Sequence, residues 1–439
     1  MRYRRPQRLL PHIAQELGVA WILSGEVQEA GKQIQVWVRL VQAAEDRQVW
    51  AECYQKTLSA DTLFEIQAQI TRQIAEALQA RLSREEEVAI RQPPTHDLES
   101  YCLHAQGRWS LDQRTEGGMQ QAVSFFTQAL ARDPHYALAW VGLADALVLL
   151  YEYGFALAEE VLPQAENAVQ KALALDPRLA EISTTMALLH EARREGAIAE
   201  QAYKKAIALR PNYAEAHNWL SWTSLLIGKA EQALQSAKRA VESNPLSPEA
   251  LSNLSFSLLV NGEPEKAIRE ARRCRNLQPE WTTAPFYEGV ALYHLGRYAE
   301  ALRLLDQLSV PWAGTGPQLT CALAHVHMGH ADRARQLRSQ LAAGNDPFAV
   351  ALISAALGES GKAVEQLAAV SDWNYWAVLS MHHLYPEVLG PLQADSRYLG
   401  ILQQVYQSWG LAPPTTLPVK IRLLRAREAL YSPDASIQP

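Results

Sequence analysis

Cysteine is scarce in this chain of 439 residues: Cys53, Cys102, Cys274 and Cys321 stand far apart, with no CxxC spacing. That spacing argues against a disulfide framework or paired-thiolate zinc site, and the four read rather as buried free thiols in a reducing compartment. No run of about 18 apolar residues exists, so no membrane span is expected. Met1 to Arg8 carries four arginines but no apolar stretch follows, which argues against a secretory leader and for a cytoplasmic location. The net charge of −6 gives no electrostatic reason to expect nucleic acid as a partner. Signatures of chemistry are missing as well. Gly31-Lys32, Gly228-Lys229 and Gly361-Lys362 lack the upstream glycine of a phosphate cradle, and there is no HRD, DFG or HExxH. His325, His327 and His330 invite a metal, but on a helix His327 and His330 share a face while His325 points the other way. His382-His383 offers less. Ser, His and Asp are plentiful with nothing to bring them together. The expectation is a chain with no catalytic residue, no cofactor and no metal, and hence not an enzyme.

What the chain does have is a period. Gly228, Gly262 and Gly296 recur every 34 residues, as do Ala199, Ala233, Ala267 and Ala301, and Pro177, Pro211, Pro245 and Pro279. Residues with different backbone roles keeping one spacing mark a stacked array of helical hairpins. Glycine after the first helix supplies a left-handed C-terminus without a Cβ penalty, and proline after the second cannot continue a helix. Small residues mark where the two helices cross: Ala187, Ala199 and Ala206; Ser221, Ala233 and Ala240; Ser255, Ala267 and Cys274. Less regular units flank these. Gly107, Ala122, Ala129 and Pro134 form one, and Ala144, Ala165, Ala172 and Pro177 the next. Downstream come Gly289, Ala301 and Leu308, then Ala322, Ala334 and Leu341, then Ala351, Ala363 and Val370.

This pattern resembles tetratricopeptide repeats, about eight of them. The resemblance implies a mostly α-helical superhelix, with the first helix of each unit lining the concave face. Carried onto this register, the family's groove positions fall on Asn218, Trp222 and Leu225; Ser252, Phe256 and Leu259; and Phe286, Val290, Tyr293 and His294. Such an apolar, aromatic groove suits a peptide or protein segment. Members that clamp a chaperone's C-terminal carboxylate use lysine and asparagine where this chain has Leu188, Trp222, Phe256 and Val290, so that partner is not expected. Arg269, Arg272, Arg273 and Arg275 cluster on a second helix and read as a solvated outer face.

Residues 1–97 do not keep the period. Pro11 to Leu17 reads as a helix end stopped by Gly18, and Ala20 to Val27 as a strand. Gln33 to Val41 alternates, with Ile34, Val36, Val38 and Leu40 on one face, and Gln48 to Gln55 makes a third strand. Asp61 can cap a helix whose inner face carries Leu63, Ile66, Ile70, Ile74 and Leu78. The module is therefore a small α+β unit built on a three-stranded antiparallel meander. The stretches IAQELGV, SGEVQEAGKQIQVWVRLVQA, VWAECYQKTL and DTLFEIQAQIT within Ile13 to Thr71 resemble the TolB-amino-terminal-type domain. In bacteria that domain accompanies class III adenylate or guanylate cyclases, winged-helix regulators of the CadC kind and serine/threonine kinases. Its members begin with a further strand and helix, so the first strand here is expected to be covered by upstream residues or, through self-association, by a second copy.

The expected organisation is a truncated TolB-like module at 1–97, the repeat array at 98–371, capping helices at 372–410, and a linker, short helix and tail at 411–439. Trp373, Tyr375 and Trp376 follow the last repeat, and Asp395 can cap a closing helix that carries Leu399, Leu402, Val405, Tyr406 and Trp409. The functional expectation is a scaffold in bacterial signalling that holds a protein segment in its groove. The alternatives are the regulatory half of a cyclase or kinase, or a transcriptional regulator without its winged helix.

Overall fold

The computed structural model describes residues 18–409 apart from 307, 311–312, 372 and 374, together with residues 11, 14 and 15. The tail from 410 onward and most of the first expected helix lie outside the described residues. Two compact units divide the chain: Met1–Tyr151 with Phe155–Thr185, and Glu152–Gly154 with Met186–Pro439.

In the first unit, β1 (Trp21–Ala30), β2 (Gln33–Gln42) and β3 (Arg47–Thr57) form an antiparallel sheet in the order β1-β2-β3. Helix α1 (Ala60–Ala77) follows. Period-two alternation places Ile34, Val36 and Val38 of β2 under α1, where they pack with Tyr54, Ile66, Leu63 and Ile70. Ser59, not Asp61, caps α1: its hydroxyl accepts from the Thr62 N–H while the Thr62 hydroxyl takes the Ser59 N–H, a reciprocal pair that satisfies two end groups. Asp61 sits in the first turn and bonds His96 instead. Strand β1 is left largely bare, with Leu23 48% and Val27 63% exposed on the α1 side of the sheet. Cys53 and Cys102 are exposed, against the expectation of buried thiols, because each falls on a polar face; Cys274 and Cys321 are buried.

After α2 (Arg84–Arg91), sixteen helices among the described residues pair into hairpins. The first two are α3 (Leu98–Leu111) with α4 (Glu116–Arg132), and α5 (Ala137–Glu152) with α6 (Ala158–Leu175). Then come α7 (Ala180–Ala192) with α8 (Gly196–Leu209), α9 (Ala214–Leu226) with α10 (Ala230–Ser243), and α11 (Pro248–Val260) with α12 (Pro264–Leu277). The last three are α13 (Thr283–His294) with α14 (Tyr298–Leu305), α15 (Gly316–His327) with α16 (Ala331–Ala343), and α17 (Pro347–Ala356) with α18 (Ser360–Ala368). These eight hairpins follow the eight sets of small residues read from the sequence.

The physical reason is visible at each crossing. Ala187, Ala199, Ser221, Ala233, Ser255 and Ala267 are all fully buried. The Ser255 hydroxyl reaches the Ala267 carbonyl of the opposite helix at 2.9 Å. A Cβ on Gly289 would lie 2.5 Å from the Leu305 side chain, and one on Gly107 would lie 2.6 Å from the Phe126 ring, so nothing larger fits without displacement. The helix ends obey the same logic. Gly228, Gly262 and Gly296 have φ of 76°, 80° and 72°, and Arg194 occupies the equivalent position at 63°. In each case the next N–H turns back to a carbonyl of the last turn, as Lys229 does to Ser224 at 2.7 Å.

Four short helical pieces follow the last hairpin among the described residues: α19 (Tyr375–Leu379), the π-turn Ser380–Leu384, α20 (Pro386–Leu389) and a 3-10 turn at Gly390–Ala394. Helix α21 (Ser396–Ser408) closes the described chain; the Asp395 carboxylate accepts from the Arg397 N–H at its start. It buries Leu402, Val405, Tyr406 and Trp409 but leaves Leu399 exposed.

Candidate functional site

The groove positions expected from the register lie on the first helices α9, α11 and α13, and most of them are inside the protein. Asn218, Leu225, Ser252, Phe256, Leu259, Phe286, Val290 and Tyr293 are buried; Trp222 and His294 are half-buried. Two layers cause this. Neighbouring first helices stack on one another, as in the Phe256 and Tyr287 rings, 4.7 Å apart and nearly parallel. The segment Tyr375–Leu389 then crosses the same face. His383 Nε2 donates to the Leu225 carbonyl at 2.9 Å, Tyr293 donates to Glu387 at 2.9 Å, and the Tyr385 and Thr320 hydroxyls are 2.8 Å apart. The Tyr385 ring meets Tyr293 edge-on and stacks on His294. Burial pushes the His383 imidazole down to about 4, so it sits here as a neutral donor.

An open cleft of about 540 Å³, including its mouth, remains at α9, α11 and the start of α13. Trp219, Trp222, Glu249, Ser252, Asn253, Trp281, Thr283 and Tyr287 line it, with Glu152 and Tyr153 from the three-residue segment of the same compact unit. Its walls are held rigidly. Trp281 Nε1 donates to the Ser252 hydroxyl at 2.9 Å, and the Asn253 amide donates to Asn218 Oδ1 at 2.9 Å. Burial first, then the charges of Tyr153 and Glu249, raise the Tyr287 phenol well above its ordinary value. Of the ten residues expected to line a groove, the cleft uses Trp222 and Ser252. The sequence held a signal for others: Trp219, Asn253 and Tyr287 are spaced by 34, as are Glu249 and Thr283, so the cleft follows columns of the repeat adjacent to those chosen.

The histidines arrange themselves otherwise than a continuous helix suggests. Helix α15 ends at His327 and Gly329 reverses the chain, which brings His325 and His330 together, their Nδ1 atoms 3.4 Å apart, and sends His327 onto Tyr293 and Tyr298. Among the described residues no group of three His, Cys, Asp or Glu could hold a metal. The arginine cluster is not merely a solvated face: Arg272 and Arg275 both bond the buried Glu288 of the next hairpin, and Arg273 reaches the Pro245 carbonyl. Nor is any helix among the described residues long and apolar enough to cross a membrane.

Family models for the tetratricopeptide repeat match residues 202–235, 227–279 and 257–311. Over 177 residues the chain is 28% identical to a protein of Rhizobium meliloti (strain 1021) provisionally named adenylate cyclase 3. That stretch is 40% of this chain and 30% of the relative, so the chain spans less than a third of the curated relative it matches. Among solved structures, it is similar to pilF of Pseudomonas aeruginosa, with 21% identity, a TM-score of 0.36, and 48% of this chain and 92% of that one covered. A tetratricopeptide repeat protein from Parabacteroides merdae gives 15% identity and a TM-score of 0.38 over 56% and 94%. These structural likenesses concern the fold alone. Residues 202–311 carry tetratricopeptide repeats, and the helical hairpins before and after them repeat the same unit.

Proposed function

We propose that this chain is a protein-binding scaffold that seats a segment of a partner in the cleft along α9, α11 and α13, and that it does so in bacterial signalling. The observation that carries this reading is the cleft itself: a recess walled by Trp219, Trp222, Trp281 and Tyr287 on the first-helix face of three consecutive repeats. Large, rigid rings beside a few polar groups are what a peptide anchor needs, since they bury area at little cost in side-chain entropy. A library of immobilised 12-residue peptides, probed with the intact chain and with Trp222→Ala, tests it. Peptides held by the intact chain and lost by the variant are expected; a variant that retains every peptide would overturn the reading.

The match to the Rhizobium meliloti protein favours a second reading, in which this array is the regulatory part of a nucleotide cyclase. Intact-mass measurement of the polypeptide captured from its own cells by an antibody to residues 202–311 separates the two. A mass matching these 439 residues leaves the scaffold; a longer species with cyclase activity establishes the regulatory role.

A further inference from the structure

Strand β1 is the edge of its sheet, and among the described residues no strand pairs with its outer side. The Ala43 N–H bonds the Ala20 carbonyl and β1 keeps that register with β2 throughout, so the even residues of β1 turn their backbone groups toward β2. The N–H and C=O groups of Trp21, Leu23, Gly25, Val27 and Glu29 therefore face outward along the edge. Two of these residues, Leu23 and Val27, are the exposed apolar pair on the α1 side, and they stand symmetrically about Gly25. From Gly25 to Ala30 every residue of β1 is exposed. Edge strands are commonly guarded by lysine or proline, and Trp21–Ala30 has neither. On the other face of the sheet Arg39 Nε donates to Ser24 Oγ at 2.8 Å. Glu26, which accepts from Gln28 at 3.1 Å, stands two residues along from Ser24 on that same face.

We propose that this edge pairs with the same edge of a second copy of the chain, antiparallel and two-fold symmetric about Gly25, so that two sheets join into one. The outward amides of each strand then meet the outward carbonyls of the other. Leu23 lies opposite Val27 of the second copy and Val27 opposite its Leu23, which closes the bare apolar strip on itself. On the other face, Glu26 of the second copy falls beside Ser24, two strand spacings or about 10 Å from the Arg39 backbone and within reach of the two extended side chains. The guanidinium that bonds Ser24 can take that carboxylate as well, and symmetry makes the pair twice. Moving the axis by one residue, to Ser24 or Glu26, sets Leu23 or Val27 against Gly25 instead, and at Glu26 it brings two carboxylates face to face. The pairing depends on the sheet alone and is independent of the cleft.

The test measures the mass of the full 439-residue chain by light scattering across a dilution series, with amide hydrogen exchange at both ends of the series. A dimer is expected at high concentration, with slow exchange at Leu23, Gly25 and Val27, and a monomer on dilution, with fast exchange at those three. The amides of Ser24 and Glu26, bonded to β2, should change little. Val27→Lys, with an unchanged helical signal, is expected to weaken the dimer about a hundredfold, since both copies carry the change. Arg39→Glu and Glu26→Arg should each weaken it about tenfold, and the two together should restore it. A monomer at every concentration overturns the proposal; slow exchange at Leu23, Gly25 and Val27 in that monomer would assign the edge to another part of the same chain. A dimer indifferent to Val27→Lys and to the charge exchange forms through another surface, and overturns it equally.

Discussion

Two stretches of one helical face end differently. Around Leu225, Tyr293 and Thr320 the first helices lie beneath the segment Tyr375–Leu389 and belong to the core; around Trp222, Ser252 and Trp281 the same kind of surface stays open as a cleft. Trp222 and Leu225 are less than one turn apart on α9. Register along a repeat therefore fixes which face a residue occupies, whereas exposure is decided by what a distant part of the chain lays over it.

The comparison predicts unequal consequences for equal truncations. Tyr385→Ala removes a fully buried ring that packs on Tyr293 and His294 and bonds Thr320, and should cost about 3–5 kcal/mol in denaturant unfolding. Should this loss turn out no larger than that of Trp222→Ala, the covered stretch would not be core. Ala233→Leu, at a hairpin crossing with no free space, is expected to cost about 1–3 kcal/mol by overpacking, and an unchanged melting temperature would break the assigned register.

The pH dependence sharpens the same contrast. The His383 pKa falls from an ordinary 6.5 to about 4 on folding because burial disfavours the charged ring, so between those values the unfolded chain binds the extra proton. Its contribution is fully present above pH 6.5 and declines as the pH falls toward 4. His383→Gln keeps a donor for the Leu225 carbonyl without the titration, and its melting temperature should fall less than that of the parent across this window. Equal slopes would contradict a buried, neutral His383. The smallest effect belongs to the open stretch: Trp222→Ala, removing a half-buried ring, should cost about 1 kcal/mol in stability.

The hairpins were legible because their determinants are local. Close approach at Ser255 or Gly289 admits only small side chains, and a left-handed turn at Gly262 favours glycine, so the structure leaves its mark on residue identity at a fixed spacing. Where Arg194 takes the glycine's place, backbone geometry persists without that mark. Covering of the groove was not legible. It depends on pairings such as His383 with Leu225, 158 residues apart, which no periodicity encodes. The capping of α1 went to Ser59 because two neighbouring residues, Ser59 and Asp61, both suit a helix start and only Ser59 has Thr62 three positions on to complete the box. Cleft columns at Trp219, Asn253 and Tyr287 were written in the period but masked by the family's more familiar positions.

The buried carboxylates bear on how such an array can change over generations. Glu191 accepts from Tyr203 of its own hairpin and Thr223 of the next, and Glu288 is held by Arg272 and Arg275 of the hairpin before it. At the places 34 residues away from them, Leu225 and Leu254 carry no charge. Excising α11 and α12 as one unit would set Glu288 against Lys238 and Val241 in place of its two arginines, a loss of the order of several kcal/mol for a carboxylate without its full set of partners. Hairpins that look interchangeable by spacing are thus keyed to particular neighbours.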